Sequence, residues 1–418
     1  MGFEAEYVAR FRERQTLLFS DYARGDDVDL QPVEASMYAL CSSYDDQPSQ
    51  HRRRRVLASV ATRGRVDWHP TVSDLRIRLE DSSEYGVPET ASRGALGAAM
   101  EDDLVKLIET RNRLAVDEGF ESYADLAMWS EGLDLTGVRH FVAAVRNTTL
   151  PEAVRTITRE RMTLETWFED CERFGGPGPD DIPAAASTLS CLLDLDEIAG
   201  RISWVVREQP IYGAAFALAV PSDVRILVGR SGSLTASMTA YHELGHALGH
   251  AANRTTGILQ TWETTVDESM AVVMEAVASR LVLDDHERSR MAIVEALETA
   301  RLSTSLMFEF GVNERPHQSR ELFEYWYGPL APFDDAAMWA RDTFRSVDPF
   351  HIQAYLVGNV VADATLAFLT DRFPDDPPAW GSWLVENYYA PGRGATLSDR
   401  LNALEDHRPK ELDDVFVA

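Results

Sequence analysis

The chain has 418 residues, a hydrophobic fraction of 45% and a formal net charge of -28. Its length allows two lobes or one large helical body, and its hydrophobic fraction is sufficient for a buried core. The charge argues against nucleic acid and anionic membranes as partners, because phosphate groups are bound by clustered Lys and Arg. The sequence contains no run of 18 apolar residues, which argues against a membrane-spanning helix.

The first residues and the cysteines predict a cytoplasmic protein. The first seven residues are acidic and lack the apolar stretch of a secretory signal peptide. Cys41, Cys171 and Cys191 are too few and too scattered for a disulfide framework or a cysteine-based metal site. We therefore expect three buried thiols in a reducing cytoplasm. Only Lys106 and Lys410 are lysines, a composition typical of high-salt adaptation or of a GC-rich genome.

Apolar residues recur at helical spacing along most of the chain, which predicts a mainly α fold. A dense Gly/Pro segment at residues 174–183 cannot continue a helix, so we predict a linker there. The expected division is an N-terminal helical region at residues 1–175, forming a lid or lobe, and a catalytic region at residues 176–418. A second break between helices is predicted at Pro374–Pro378.

One segment has the pattern of a β-hairpin. The apolar runs Ala214–Val220 and Val224–Val228 flank a Pro-Ser-Asp turn, which predicts two short strands. Two interpretations remain open. The hairpin is a peripheral structural element, or it supplies an edge strand beside the active site that pairs with an extended substrate backbone.

The helix predicted to begin near Ser233 or Thr235 carries the motif with the clearest chemistry. His242 and His246 are four residues apart, so both imidazoles lie on one helix face and can bind one tetrahedral Zn²⁺. Glu243 follows the first histidine directly. From that position it can take a proton from the water that the metal activates, without binding the metal itself.

The third metal ligand determines the class of site. A third histidine six residues after His246 would occupy position 252, but that residue is Ala252. His250 lies on the same stripe, two helical turns from His242, and an uninterrupted helix would carry it past the metal. It could be a neighbouring polar group or simply a histidine at the helix end.

A carboxylate from a second helix is the alternative. The segment Thr264–Glu275 is apolar almost all round, which predicts a buried helix. A buried carboxylate is costly unless it is paired or binds a metal. Glu268 and Glu275 are seven residues apart, roughly 10 Å along a helix axis, so one zinc cannot readily bind both. We predict Glu268 as the ligand and Glu275 as a neighbouring or ion-pairing group.

These residues resemble a known family. His242–Leu248 followed by Thr264–Glu268 is similar to the gluzincin metallopeptidases of the thimet oligopeptidase and oligoendopeptidase F type. Weaker similarity is present at Arg111–Leu126, Asp348–Leu356 and Tyr388–Gly394. The chain is shorter than typical members, so their N-terminal helices must be reduced here.

The resemblance implies a zincin-like, two-lobed helical body with a small β element beside the active-site helix. It implies His242, His246 and Glu268 as zinc ligands, and Glu243 as the general base. It also implies that Tyr355, and often His351, contributes to the transition state; Tyr355 is our candidate donor to the oxyanion.

The expected function is hydrolysis of peptide bonds in oligopeptides by a zinc metallopeptidase. Two alternatives stay open. One is a zincin-fold amide hydrolase that acts on a small non-peptide substrate or in a specialised pathway. The other is a catalytically inactive binding protein, against which the intact Glu243 argues.

Overall fold

The structure is a computed structural model that describes residues 2–26, 28–44, 52–81, 85–87, 91–179, 181–208, 213–230 and 232–417. Within these residues the chain is mainly helical with a small three-stranded sheet, which confirms the predicted fold class. The helices are, in chain order, α1 Phe3–Arg24, α2 Gln31–Ser42, α3 Arg52–Asp67, α4 Pro70–Glu80, α5 Arg93–Asp117, α6 Tyr123–Glu131, α7 Leu135–Glu160, α8 Trp167–Gly175, α9 Ile182–Leu192, α10 Asp196–Ala199, α11 Leu234–Ala252, α12 Thr264–Val282, α13 Asp285–Glu314, α14 Ser319–Tyr327, α15 Thr343–Val347, α16 Ile352–Arg372, α17 Pro377–Leu384 and α18 Leu397–Asn402. The strands are β1 Ile202–Arg207, β2 Ala214–Ala219 and β3 Asp223–Gly229.

The chain divides into two compact units, each assembled from three stretches. The first unit comprises Met1–Ala58, Glu172–Ile293 and Val357–Lys410, and the second comprises Ser59–Cys171, Val294–Leu356 and Glu411–Ala418. The continuous regions 1–175 and 176–418 predicted from the sequence differ from these units, since both units contain residues from each region. One change of unit, at Cys171/Glu172, lies close to the predicted linker.

The predicted breaks between helices are present. α8 ends at Gly175 and α9 begins at Ile182, so the described part of residues 174–183 connects two helices. Asp180, within that segment, lies outside the described residues. α16 ends at Arg372 and α17 begins at Pro377, in agreement with the second predicted break.

The sheet of the first unit has the strand order β1-β3-β2. β2 and β3 are antiparallel and form the predicted hairpin, with a bulge between Ala217 and Ala219. β1 runs parallel to β3 and was not predicted from the sequence. The helix α11 packs against β2 and β3, so the small sheet lies beside the helix that carries the histidine motif.

α11 begins where its sequence predicts. The Ser233 hydroxyl accepts a hydrogen bond from the backbone N–H of Ala236 and caps the first turn. The helix packs closely on α12, and Gly245 makes this approach possible. A Cβ atom at Gly245 would lie 2.6 Å from Ala271 Cα and 2.7 Å from the Met270 carbonyl oxygen. Only glycine therefore fits at this crossing without a shift of one helix.

The second unit has an aromatic core. Phe308 of α13 lies edge-on to Phe323, Tyr327 and Trp339, with ring centroids 5.5 to 6.1 Å apart. Arg345 of α15 stacks over the same Phe308 ring at 4.8 Å. Such offset and edge-on contacts stabilise a core beyond the area they bury.

Two further expectations concern the cysteines and the membrane. Cys41 and Cys171 are buried as expected, but Cys191 is exposed near the end of α9, which corrects that part of the prediction. By length and composition α16 could cross a membrane, but 61% of its most apolar window is buried inside the structure. A buried core helix has the same pattern, so this finding is weak evidence for a membrane span.

Candidate metal centre

The side chains of α11 and α12 form a compact cluster of potential metal ligands in the first unit. One ligand atom each from His242, His246 and Glu268 lies within 4.8 Å of the other two. Among the described residues, no other group of three or more histidine, cysteine or carboxylate side chains lies close enough together to hold one ion. The structure therefore brings together the three residues that the sequence predicts as ligands.

The spacing of the ligand atoms fits a tetrahedral metal. His242 Nε2 lies 3.2 Å from His246 Nε2 and 3.2 Å from Glu268 Oε2. His246 Nε2 lies 3.7 Å from the same carboxylate oxygen. Ligands about 2.0–2.1 Å from a tetrahedral ion lie about 3.4 Å from one another. The three observed separations scatter around this value.

The outer ring nitrogens of both histidines contact further carboxylates. His242 Nδ1 lies 2.6 Å from Glu275 Oε1, and His246 Nδ1 lies 2.9 Å from Asp267 Oδ1. Since a carboxylate accepts hydrogen bonds, each Nδ1 carries a proton and donates it. In the neutral rings, both Nε2 lone pairs then face each other and the Glu268 carboxylate. Three electron-pair donors at this distance repel one another unless a proton or a metal ion lies between them, so the donor set fits a divalent metal ion.

The electrostatics of the cluster favour positive charge. Burial disfavours the imidazolium of His242, but Glu268 and Glu275 outweigh burial and raise its pKa well above the ordinary value. Burial also opposes the charged form of His246, yet Asp267 and Glu268 raise its pKa to about 9. A site that attracts protons this strongly also attracts a metal cation, which competes with protons for the same nitrogens.

Glu243 lies beside the ligands but is not one of them. Its side chain is buried, and burial raises the pKa of its carboxyl above the ordinary value, while His246 and His242 oppose the shift. A raised pKa makes the Glu243 carboxylate a stronger proton acceptor than an ordinary carboxylate.

The backbone at the start of β2 contacts Glu243. A Cβ atom at Gly213 would lie 2.6 Å from Glu243 Cγ and 2.9 Å from its Oε1. It would also lie 2.9 Å from Thr239 Cγ2, one helical turn earlier. Glycine is therefore required here by close approach, and β2 begins directly after this contact.

His250 is directed to a different partner. Its Nδ1 accepts a hydrogen bond of 3.1 Å from the indole N–H of Trp262. Burial lowers the pKa of His250, which keeps the ring neutral. It is not part of the three-residue ligand cluster, in line with the expectation that the helix carries it past the metal.

His351 and Tyr355 belong to the second unit, whereas the ligand cluster belongs to the first. His351 Nδ1 lies 2.9 Å from Asp348 Oδ2, and the His351 ring lies 5.3 Å from the Tyr355 ring. Phe344 stacks on His351 with ring centroids 5.1 Å apart. The structure thus brings these two predicted residues together with each other, and their catalytic roles stay predictions.

Two residues at the site were missed by the sequence analysis. Asp267, the partner of His246, had the signal used for Glu268, since it is an acidic residue in an otherwise apolar helix. Gly213 had no such signal, because its contact with Glu243 depends on how β2 packs against α11.

Comparisons with known proteins extend the description of the fold. No protein-family model matches the chain, and no curated protein matches it. Among solved structures, an M32 carboxypeptidase from Deinococcus radiodurans R1 matches 97% of this chain and 94% of its own, with 15% identity and a TM-score of 0.67. BsuCP matches 99% of this chain and 95% of its own, with 12% identity and a TM-score of 0.68.

A third structure is assigned as oligoendopeptidase F. It matches 99% of this chain but 82% of its own, with 15% identity and a TM-score of 0.61. The first two matches are therefore closer to this chain in length than the oligoendopeptidase is. At these identities the comparisons establish the fold, which this chain shares with M32 carboxypeptidase and oligoendopeptidase structures.

Proposed function

We propose that the protein is a zinc-dependent metallopeptidase that hydrolyses peptide bonds in oligopeptides. The observation that carries the proposal is the convergence of His242, His246 and Glu268 beside the buried Glu243. Two imidazoles and one carboxylate form a ligand set typical of catalytic zinc, which keeps a further position open. The fold shared with carboxypeptidase and oligoendopeptidase structures supports a peptide substrate.

Zinc in this position would supply a water nucleophile of lowered pKa and polarise the scissile carbonyl. Glu243 has the position and raised pKa to accept a proton from the attacking water and deliver it to the leaving amine. Glu275 and Asp267 hold the two histidines in the tautomer that directs Nε2 inward. Each of these side chains thus has a defined task in one hydrolytic cycle.

The contact between Gly213 and Glu243 supports one of the two interpretations of the hairpin. β2 is an edge strand of the described sheet, pairing with β3 on one side. Because Gly213, the residue directly before β2, adjoins the proposed base, a peptide that pairs with β2 would pass close to Glu243. We therefore propose that β2 guides the substrate backbone. The contribution of Tyr355 and His351 to the oxyanion, implied by the resemblance, is part of the same proposal.

The proposal is tested with the purified full chain and quenched peptides of graded length. Peptide cleavage is expected with bound zinc, with loss after chelation and recovery when zinc is returned. Glu243→Gln should retain zinc, measured by metal analysis, while turnover falls at least about 10²-fold. Cleavage that persists in Glu243→Gln would contradict the assigned base.

The same peptides separate the alternatives. Carboxypeptidase action, the activity for which the Deinococcus radiodurans structure is named, requires a free C-terminus. A peptide and its C-terminally amidated copy, compared by mass spectrometry, therefore distinguish removal of terminal residues from internal cleavage. Stoichiometric zinc without turnover of any peptide would instead favour the small-amide hydrolase or the binding protein.

A further inference from the structure

The second unit contains a small internal cavity beneath the turn that leads into α16. The volume open to the centre of a water molecule is about 10 Å³, and nine residues line the cavity. Four of these residues carry charged or amide side chains, and each is at most 7% exposed. These are Arg111 of α5, Glu309 and Asn313 of α13, and Arg345 of α15.

Each of the four side chains has one buried polar atom that lacks a hydrogen-bond partner among the described residues. Glu309 Oε2 and Asn313 Oδ1 are acceptors, and Arg111 Nε and Arg345 Nε are donors. An unsatisfied buried polar atom is costly, and native proteins usually provide it with a partner. All four atoms belong to residues that line one cavity, which points to a shared partner.

The chemistry of the four atoms identifies that partner. Two acceptors and two donors match the two protons and two lone pairs of one water molecule. The cavity volume agrees with the roughly 10–15 Å³ that a single buried water needs. We propose that this cavity binds one structural water, held by Glu309, Asn313, Arg111 and Arg345.

The site is linked to the backbone of the segment above it. Glu309 accepts a 2.9 Å hydrogen bond from the Phe350 N–H, and Phe350 has a φ of 64°, in the left-handed region. A non-glycine residue in that region is strained and persists where its surroundings hold it. Arg111 donates to the carbonyls of Arg345 and Ser346. The water therefore connects the side chains that hydrogen-bond to the backbone of residues 345–350, and so stabilises this segment and the start of α16.

The water site lies within the second unit and does not depend on the proposed peptidase activity. Its first test is a crystal structure of the full chain at about 1.5 Å resolution or better. A well-ordered water within hydrogen-bond distance of all four atoms is expected. A cavity without density, or an Asn313 amide turned to donate directly to Glu309, would overturn the proposal.

A second test measures the turn in solution. In Asn313→Leu the side chain loses its acceptor, while the backbone carbonyl of Asn313 still accepts from Asn112. We expect hydrogen exchange in the peptide containing Phe350 to become about tenfold faster, since the water loses one of its anchors. Asn147→Leu, at an exposed position of α7, is the matched control and should leave exchange unchanged. Equal exchange in Asn313→Leu and wild type would contradict the role of the water.

Discussion

The Glu275 carboxylate contacts His242 Nδ1 at 2.6 Å, on the side of the ring opposite the nitrogen that faces Glu268. Glu275 and Glu268 are seven residues apart on α12, so carboxylates two helical turns apart contact the two nitrogens of one imidazole ring. Glu268, on the Nε2 side, is the candidate metal ligand. Glu275, on the Nδ1 side, orients the His242 ring toward the same metal position.

This arrangement predicts the effect of Glu275→Gln on metal binding. The amide can no longer stabilise the Nδ1 proton with a charge, so zinc affinity should fall about 10- to 100-fold. Competition with a chelator of known affinity measures the change. Glu197→Gln, at a side chain that is 93% exposed, is the control and should bind zinc like the wild type. Unchanged affinity in Glu275→Gln would show that the contact does not support the ligand.

Gly213→Ala tests the contact between β2 and the proposed base. The added methyl group would meet Glu243 Cγ at 2.6 Å and must displace the carboxylate. A shift of this kind should lower kcat by about 10- to 100-fold, with zinc content unchanged because Glu243 is not a ligand.

The matched control for this substitution is Gly200→Ala. A Cβ atom at Gly200 meets its nearest heavy atoms at 3.4 and 3.5 Å, which is ordinary contact distance. Activity close to wild type is therefore expected in the control. Full kcat in Gly213→Ala would show that the close approach of Gly213 does not position the Glu243 carboxylate.

Glu309 predicts a pH dependence of stability. Burial raises the pKa of Glu309 to about 7, opposed by the Phe350 N–H and Arg345, and supported by Asp342 and Asp348. Because the folded-state pKa exceeds that of the unfolded chain, this stabilising contribution is complete below about pH 4.5. It is lost as the pH rises through 7.

The measurement compares wild type with Glu309→Gln by urea unfolding between pH 4.5 and 8. Gln keeps an acceptor for the Phe350 N–H but does not titrate. The free energy of unfolding of the wild type, relative to the variant, should therefore decrease across this range. A constant difference would mean that Glu309 titrates at the same pH in both states.

The net charge of -28 predicts that salt stabilises the protein. Like charges repel more in the folded chain than in the expanded one, and salt shortens the range of repulsion from about 10 Å at 0.1 M to about 3 Å at 1 M. The midpoint of thermal unfolding should rise by several degrees between these NaCl concentrations. Sucrose at matched osmolality controls for general solute effects, and a flat salt profile would refute the prediction.

The sequence predicted those parts of the site that depend on spacing within one helix. The four-residue interval places His242 and His246 on one face, and the cost of burying a carboxylate marks Glu268. The hairpin was predicted because β2 and β3 adjoin in sequence. β1 was missed because its parallel partner β3 lies beyond the intervening β2, and such pairing leaves no local pattern.

The contact of Gly213 with Glu243 was missed for a related reason. It arises from the packing of a strand against a helix, and a glycine before a strand has many explanations. Most boundaries between the two compact units could not be predicted from the sequence either. Changes between units occur inside α3, α13 and α16, where helical periodicity continues without a composition break.

The interleaving of the two units has a consequence for biosynthesis. The first unit contains both residues 1–58 and residues 357–410, and the second of these segments is synthesised long after the first. Domains of ordinary proteins fold one after another as they leave the ribosome. Neither unit is complete before the segments within residues 357–418 have been synthesised, so a nascent chain stalled before residue 357 should remain protease-sensitive.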